Sequence, residues 1–199
     1  MSRISDETLQ QLAEQEWALV ENLFPESLLW TLHQQAQDLW RDGNFQAAKV
    51  GRSSEQQRAT EIRSDWTHWI DLQTEVYQMF TQAIQEVQSE LNQKLYLGID
   101  HFECHFAHYS PGQFYERHID QARLKSQLHG ERVISFVLYL NPDWKTEDGG
   151  QLCLFHQNPE VRIEPKWGRV ALFRSDTVPH AVQKASRERW SLTGWFRRS

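Results

Sequence analysis

Residues 109–120 read Tyr-Ser-Pro-Gly-Gln-Phe-Tyr-Glu-Arg-His-Ile-Asp, and this stretch combines a chain reversal with a candidate metal-binding pair. Pro111 and Gly112 are typical of a turn between two strands. In an extended strand, side chains two positions apart point to the same face. His118 and Asp120 can therefore reach one ion, and the stretch predicts a strand, a turn and a second strand that carries two metal ligands.

Two further residues extend this pattern. His180 lies sixty positions after Asp120, directly behind Pro179, and Arg189 follows it. Two imidazoles and one carboxylate occupy one face of a ferrous ion and leave three positions open, as non-haem Fe(II) oxygenases require. Arg189 adds a permanently charged planar fork suited to a carboxylate on a second ligand. Each residue alone also fits a surface ion pair or a loop histidine, so the prediction of an iron site depends on all four meeting in space.

The chain after residue 95 alternates between short apolar runs and turns. The predicted strands are Leu97–Tyr109, Glu116–Asp120, Val133–Leu140, Gln151–Phe155, Val161–Ile163, Arg169–Phe173, Ala181–Lys184 and Ser191–Phe196. Turn residues occupy 141–144 and 148–150. Such spacing predicts a sandwich or jelly-roll barrel rather than a parallel α/β sheet.

The chain before residue 95 has helical periodicity. We predict a first helix from Ser5-Asp6 to about Glu21, a second after Pro25, and a third over the apolar stripe from Val76 to Leu91. These stripes are interpreted as packing faces. The prediction is one α+β domain over residues 1–199, with 1–95 mainly helical support and 96–199 forming the β-barrel catalytic core.

Composition narrows the class of protein. The chain has 199 residues, 39% of them hydrophobic, and a net charge of −6. We therefore expect no nucleic-acid partner. No run approaches the roughly 20 apolar residues of a membrane span, and the first twenty residues lack the pattern of a signal peptide. Cys104 and Cys153 fit buried reduced thiols. These features predict a cytoplasmic protein without a membrane partner.

The second half of the chain resembles a known family. The run from Tyr109 to Phe196 is similar to the catalytic half of the 2-oxoglutarate- and Fe(II)-dependent prolyl 4-hydroxylases, in particular the branch with the animal hypoxia-factor prolyl hydroxylases and their bacterial relatives. The motifs that carry the resemblance are Tyr109-Ser-Pro-Gly, Tyr115-Glu-Arg-His-Ile-Asp120, Arg132-Val-Ile-Ser-Phe-Val-Leu-Tyr139-Leu-Asn-Pro-Asp-Trp144, Gly149-Gly-Gln-Leu152, His180-Ala-Val-Gln183 and Arg189-Trp-Ser-Leu-Thr-Gly-Trp195, with Ile62-Arg-Ser-Asp65 and Trp69-Ile70 upstream.

The resemblance implies a fold, a chemistry and a set of site residues. The fold is a double-stranded β-helix (jelly-roll) with N-terminal helices outside. The implied iron ligands are His118, Asp120 and His180, and the implied cosubstrate residues are Arg189, Tyr139, Tyr109 and Thr193. The implied reaction uses Fe(II), 2-oxoglutarate and O₂, with ascorbate as a further candidate cofactor, hydroxylates a prolyl residue of a protein or peptide, and releases succinate and CO₂. Tyr109 and Tyr139 also fit plain barrel packing.

The sequence leaves alternatives for the substrate and for two surface segments. The segment Gln121–Glu131 departs from the shorter turn usual in the family, so the substrate is less defined than the cofactor. That segment and Ser53–Thr60 are surface loops or substrate lids. The alternatives are the same chemistry on another residue or a small molecule, or an iron- and 2-oxoglutarate-binding sensor with little turnover. The Asp120 ligand disfavours a halogenase. The sequence does not predict an oligomeric state.

Other aromatic and imidazole residues have simpler interpretations. Alternation along the predicted strand places His101, His105 and Tyr109 on one face and His108 on the other. We interpret the three histidines as strand residues, with His105 the nearest of them to the metal. Trp66, beside the polar loop, is interpreted as a core residue or as a partly exposed contact for a peptide.

Overall fold

The computed structural model describes residues 3–49, 61–120, 130–156 and 159–199. The predictions for Ser53–Thr60 and for nearly all of Gln121–Glu131 therefore concern residues outside this part of the chain. The helices are α1 (Asp6–Gln15), α2 (Glu26–Arg41) and α3 (Gln78–Leu95). The strands are β1 (Trp17–Val20), β2 (Gln46–Ala47), β3 (Trp66–Trp69), β4 (His101–Tyr109), β5 (Tyr115–His118), β6 (Glu131–Tyr139), β7 (Leu152–Leu154), β8 (Val161–Ile163), β9 (Val170–Arg174), β10 (His180–Val182) and β11 (Arg189–Arg198).

The strands form two antiparallel sheets. The larger has the order β1-β9-β6-β11-β4-β3-β2, and the smaller has the order β5-β10-β7-β8. Non-consecutive neighbours in both sheets are the mark of a jelly-roll rather than a meander. The predicted jelly-roll core with helices outside is confirmed.

Side-chain alternation separates two hydrophobic cores across the larger sheet. On one face, Phe106, Phe136 and Leu192 pack with helix residues such as Leu32 and Phe80. On the other face, the intervening residues of the same strands join residues of the smaller sheet, among them Ala107, Val137, Tyr139, Leu152, Phe173 and Val182. The helices therefore cover one face completely, and the opposite face is left to line a pocket between the sheets.

The first predicted helix is too long. Helix α1 ends at Gln15, and Glu16 adopts a left-handed conformation with φ of 63°. Residues Trp17–Val20 instead form β1, which pairs with β9. Ala18 and Val20 are buried while their neighbours are half-exposed, which is a strand pattern. Pairing to a distant strand outweighs the local helical periodicity here.

The other predicted elements are present with shifted ends. Helix α2 matches the predicted stripe after Pro25, and α3 begins at Gln78, behind a short 3₁₀ turn over Glu75–Tyr77. The structure adds β2 and β3 to the half that was predicted to be mainly helical. No helix in the described part of the chain is both long enough and apolar enough to cross a membrane.

Candidate metal centre and cosubstrate pocket

The three predicted iron ligands meet at one end of the smaller sheet. His118 ends β5 and is the register partner of His180, the first residue of β10. Asp120 follows β5, with its Oδ1 3.5 Å from His118 Nε2 and its Oδ2 3.6 Å from His180 Nε2. One ligand atom from each residue lies within 4.8 Å of the other two. Residues that are 60 positions apart in sequence thus form a group of the size that a single metal ion requires.

Backbone hydrogen bonds orient both imidazoles. Nδ1 of His118 lies 2.8 Å from the carbonyl oxygen of Glu116, and Nδ1 of His180 lies 3.2 Å from that of Val178. Each Nδ1–H donates to its carbonyl, so the lone pair of each Nε2 faces the centre. Burial lowers the pKa of His180 to about 4, which keeps this imidazole neutral and able to bind a metal.

The carboxylate of Asp120 is held by two donors on neighbouring strands. Ser135 Oγ and Trp195 Nε1 donate to Oδ2 over 2.7 Å and 2.8 Å. Burial raises the pKa of the Asp120 carboxyl, but the neighbouring imidazoles of His180 and His118 and the hydrogen bond from Ser135 hold it well below its usual range. Both donors engage Oδ2, so Oδ1 is the oxygen left for an ion. Two imidazoles and one carboxylate form a ligand set that fits Fe(II).

Sequence reasoning missed Ser135 and Trp195. The two residues are register partners on β6 and β11, and both strands present them on the pocket side of the larger sheet. Strand alternation puts Trp195 on the same face as Arg189 and Thr193, which is the signal that was available.

Arg189 lies in the same pocket without a counter-charge. Its side chain is 2% exposed, and its Nε donates to the carbonyl of Gly150 over 2.9 Å. Among the described residues, no carboxylate forms an ion pair with it. The rings of Tyr109 and Tyr139 lie 5.1 Å and 5.3 Å from its guanidinium carbon. A buried charge without a partner costs several kcal/mol, so the arrangement favours an anionic ligand.

The position of the Arg189 side chain requires a glycine at residue 150. It has a φ of +67°, and a Cβ there would lie 3.2 Å from Arg189 Cδ and 3.0 Å from the indole of Trp144. A larger residue at this position would therefore strain the backbone and displace the arginine.

Tyr139 offers a second group for the same anion. Its hydroxyl is buried and has no hydrogen-bond partner among the described residues. Burial raises the pKa of Tyr139 to about 12, against the opposing charge of Arg189, so the hydroxyl stays protonated as a donor. A buried hydroxyl without a partner costs about 1–3 kcal/mol, and a ligand carboxylate would remove that cost. A dicarboxylate such as 2-oxoglutarate, with one end at Arg189 and the other at the metal, fits these observations.

A cavity of about 750 Å³ joins the two ends of the site. Its walls include the three metal ligands, Arg189, Tyr109 and Thr193. Tyr139 is not among the lining residues, and its ring lies beside the guanidinium of Arg189. Thr193 lines the cavity, but no contact in the structure assigns it a partner there.

An aromatic stack on the other side of His118 was also missed. The ring of Tyr115 lies 3.5 Å from the imidazole of His118, nearly parallel to it, and the guanidinium carbon of Arg63 lies 4.5 Å from the centroid of the Tyr115 ring. Arg63 donates to both oxygens of the fully buried Asp65 carboxylate over 2.7 Å and 2.8 Å. The motif around Ile62–Asp65 therefore supports a metal ligand.

The three histidines of β4 separate as alternation predicts. His105 faces the cavity, is 3% exposed and has no hydrogen-bond partner for either ring nitrogen among the described residues. His108 lies on the other face, between the rings of Trp40 and Trp190 at 4.1 Å and 4.2 Å. In the described part of the chain, no second group of metal-ligating side chains includes them.

Two smaller predictions have clear outcomes. Trp66 is half-buried and packs on Trp40, whereas Trp69 is 54% exposed and lines the cavity. The tryptophan at the rim is therefore Trp69, because strand β3 turns alternate residues toward the pocket. Cys104 and Cys153 are free, buried thiols, as predicted.

Comparisons with known proteins agree with this geometry. The family model described as the 2OG-Fe(II) oxygenase superfamily matches residues 104–197. A crystal structure of a Pseudomonas putida prolyl-4-hydroxylase is 37% identical, with a TM-score of 0.83, and the match covers 97% of this chain and 98% of that one. A prolyl hydroxylase from Trichoplax adhaerens, solved with a peptide of the hypoxia inducible factor oxygen degradation domain, is 28% identical, with a TM-score of 0.77, over 96% of this chain and 87% of that one.

A curated relative matches over a shorter region. Prolyl 3-hydroxylase OGFOD1 of Mus musculus is 33% identical over 81 residues, which is 35% of this chain and 15% of that protein. The present chain thus spans only a small part of the curated relative's length. The resemblance seen in the sequence is confirmed by these findings.

Proposed function

We propose that this chain, which belongs to the 2OG-Fe(II) oxygenase superfamily, hydroxylates a prolyl residue in a protein or peptide. It is a dioxygenase that needs Fe(II), 2-oxoglutarate and O₂. The single observation that supports this chemistry best is the buried, unpaired Arg189 in the same cavity as His118, Asp120 and His180. A metal site alone fits many functions, whereas a metal site beside a buried anion receptor fits an oxo-acid cosubstrate.

When bound, the iron supplies oxidative decarboxylation of 2-oxoglutarate to succinate and CO₂, coupled to insertion of one oxygen atom of O₂ into a substrate C–H bond. The protein contributes orientation. Arg189 and the Tyr139 hydroxyl bind the distal carboxylate, while Ser135 and Trp195 hold the Asp120 carboxylate in one orientation. Buried lining residues such as Val137, Leu152 and Phe173 exclude bulk water from that part of the cavity.

The target is proposed from the relatives and from the rim of the cavity. Both prolyl hydroxylase structures match nearly the whole chain, and one was solved with a peptide. The exposed side chains of Trp69 and Ile119, 54% and 43% accessible, line the cavity and offer apolar surface to a pyrrolidine ring. We assign the oxygen to the 4-position, because the prolyl-4-hydroxylase match extends over the full chain and the prolyl 3-hydroxylase match does not.

The proposal also includes a cellular location and a reductant. Cytoplasmic location follows from composition alone. Ascorbate is proposed only as a reductant that restores Fe(II), and no side chain in the described structure is assigned to it.

The test begins with metal and cosubstrate and needs no identified substrate. Under anaerobic conditions, Fe(II) and 2-oxoglutarate should give the wild-type protein a weak visible charge-transfer band that His118→Ala lacks. His101→Ala is the matched control, because His101 is an exposed strand histidine of the larger sheet that lies outside the cavity lining. The control should keep the band. A wild-type protein without the band would contradict the metal and cosubstrate assignment.

The second stage addresses the target. In air, proline-containing peptides or cell extract should yield succinate together with a +16 Da product, and amino-acid analysis should identify 4-hydroxyproline. 3-Hydroxyproline would correct the position. A +16 Da shift on another residue or on a small molecule would replace the prolyl target, and binding of Fe(II) and 2-oxoglutarate with no product would favour a sensor.

A further inference from the structure

We propose that Glu103 is a positioning residue for the metal centre, which acts through Arg132 and Trp195 on the carboxylate of Asp120. The proposal rests on the assignment of Asp120 as a metal ligand. Glu103 itself is on β4, on the same face as His105, but does not line the cavity. It touches neither the metal ligands nor the cosubstrate site.

Both carboxylate oxygens of Glu103 are engaged by arginines. Oε1 accepts from Nε and Nη2 of Arg132 over 3.0 Å and 2.8 Å. Oε2 accepts from Nη1 of Arg197 over 2.7 Å. The side chains of Glu103 and Arg132 are each 26% exposed, so water screens this network only in part. The two contacts to Oε1 hold the Arg132 guanidinium against Glu103.

The same guanidinium is stacked on Trp195. The Arg132 guanidinium carbon lies 3.6 Å from the centroid of the indole. This is a close cation–π contact, and its strength depends on the cation staying over the ring face. Glu103 and Trp195 are register partners on β4 and β11. The arginine is therefore held between a carboxylate and an indole that start from adjacent backbone positions.

The far edge of that indole is bonded to the metal ligand. Trp195 Nε1 donates to Asp120 Oδ2 over 2.8 Å, beside the donation from Ser135. A positive charge over the ring draws electron density from the indole and makes its N–H a better donor. A chain of contacts therefore links Glu103 to Arg132, Arg132 to Trp195, and Trp195 to Oδ2 of Asp120. The hydrogen bonds at Oδ2 leave Oδ1 of Asp120 for the metal.

This role differs from a contribution to folding. Partly exposed ion pairs are typically worth about 0–1 kcal/mol of stability, so removal of Glu103 should hardly change unfolding. Residues that orient metal ligands, in contrast, commonly change metal affinity by roughly 10- to 100-fold. Metal affinity is therefore the quantity that separates the two roles.

The experiment is a double-mutant cycle read by Mn(II) binding, followed by electron paramagnetic resonance on the full-length, metal-free protein. Glu103→Leu should weaken Mn(II) binding about tenfold, and Trp195→Phe, which keeps the ring but not the N–H, should weaken it at least as much. Because Glu103 acts through Trp195, the double variant should bind Mn(II) as Trp195→Phe does. Glu103→Gln should fall between wild type and Glu103→Leu, since its amide oxygen still accepts from Arg132.

Glu131→Leu is the matched control, because it removes the exposed Glu131–Arg198 ion pair next to Arg132 in sequence. It should bind Mn(II) as the wild type does. The proposal is overturned if Glu103→Leu changes the affinity less than twofold, or if the two single effects multiply in the double variant. Should Glu103→Leu fail to fold, as judged by thermal melting, Glu103→Gln completes the same cycle. The Mn(II) measurement uses no peptide substrate, so its outcome does not depend on whether the protein hydroxylates proline.

Discussion

Replacement of Arg189 by methionine should change protein stability and cosubstrate binding in opposite directions. The side chain is 2% exposed and forms no ion pair with a carboxylate in the described structure. Its polar contacts are the bond from Nε to Gly150 at 2.9 Å and a long one from Nη1 to Ser191 Oγ at 3.5 Å. The protein without ligands thus carries a buried charge that methionine, of similar length, would remove.

The magnitude follows from these contacts. A hydrogen bond to a charged group contributes about 1.5–3 kcal/mol, so loss of two such bonds to a carboxylate costs roughly 3 kcal/mol or more. At about 1.4 kcal/mol per tenfold, the dissociation constant of 2-oxoglutarate should rise by about 100-fold or more. The ligand-free variant loses the Gly150 bond, which also involves the charged guanidinium and is worth about 1.5–3 kcal/mol, but escapes a burial penalty of several kcal/mol. Its melting temperature should therefore rise, by about 2–4 °C for each kcal/mol gained.

The assay needs two measurements on each protein. Thermal melting without metal or cosubstrate measures the change in stability, and anaerobic titration of the Fe(II) protein with 2-oxoglutarate measures the change in cosubstrate affinity. Arg189→Lys is the comparator, because it keeps the charge and loses the planar fork. It should bind 2-oxoglutarate with intermediate affinity and gain no stability. Fe(II) binding should persist in both variants.

Two results would refute the reasoning. If Arg189→Met lowers the melting temperature and leaves the affinity for 2-oxoglutarate unchanged, Arg189 is a structural residue. If iron and 2-oxoglutarate binding are lost together, the separation of the metal site from the anion site is wrong.

Three other predictions follow from single residues. Tyr139→Phe removes a buried hydroxyl without a partner, so the ligand-free protein should become more stable by about 1 kcal/mol while 2-oxoglutarate binds roughly 3- to 10-fold more weakly in the same titration. Arg63→Gln leaves the buried Asp65 carboxylate without its charged partner and should lower the free energy of unfolding in urea by about 3–5 kcal/mol, whereas Arg41→Gln, at an exposed ion pair, should change it by less than about 1 kcal/mol. Burial lowers the pKa of His105 well below its ordinary value near 6.5, so the folded state disfavours its protonation, and the contribution of neutral His105 to stability is complete above pH 6.5 and is lost as the pH falls. In urea titrations of the metal-free proteins, His105→Leu should therefore lose less stability than wild type between pH 7 and pH 5. Equal losses in the two proteins would contradict this prediction.

The jelly-roll, the predicted metal triad and the role proposed for Arg189 come from the sequence. The strands and the His118–Asp120 pair depend on short-range features, whereas the inclusion of His180 and Arg189, some 60 positions further on, also depends on the resemblance to a known family. Period-two alternation identifies the strands, and the His-x-Asp spacing puts two ligands on one side of an extended segment. The residues that finish the site have no such local mark. Ser135 and Trp195 become donors to Asp120 only because β6 and β11 are register partners.

The predicted end of the first helix was wrong because pairing between distant strands decides it. Residues 17–20 fit a helical stripe when they are considered alone, and their strand conformation is set by pairing with β9, about 150 positions downstream. The identity of the rim tryptophan is another case, since Trp69 rather than Trp66 is exposed at the cavity.

By itself, the sequence determined which chemical groups this protein has and which of them share a strand face, because both depend on residue type and short spacing. Only the tertiary structure decided which groups touch. Among the residues that the structure describes, it left Arg189 buried without a counter-charge and the Tyr139 hydroxyl without a hydrogen bond, and it connected Glu103 to Asp120 through an arginine and an indole. Those contacts are made between strands that are far apart in the chain, and register and burial set them.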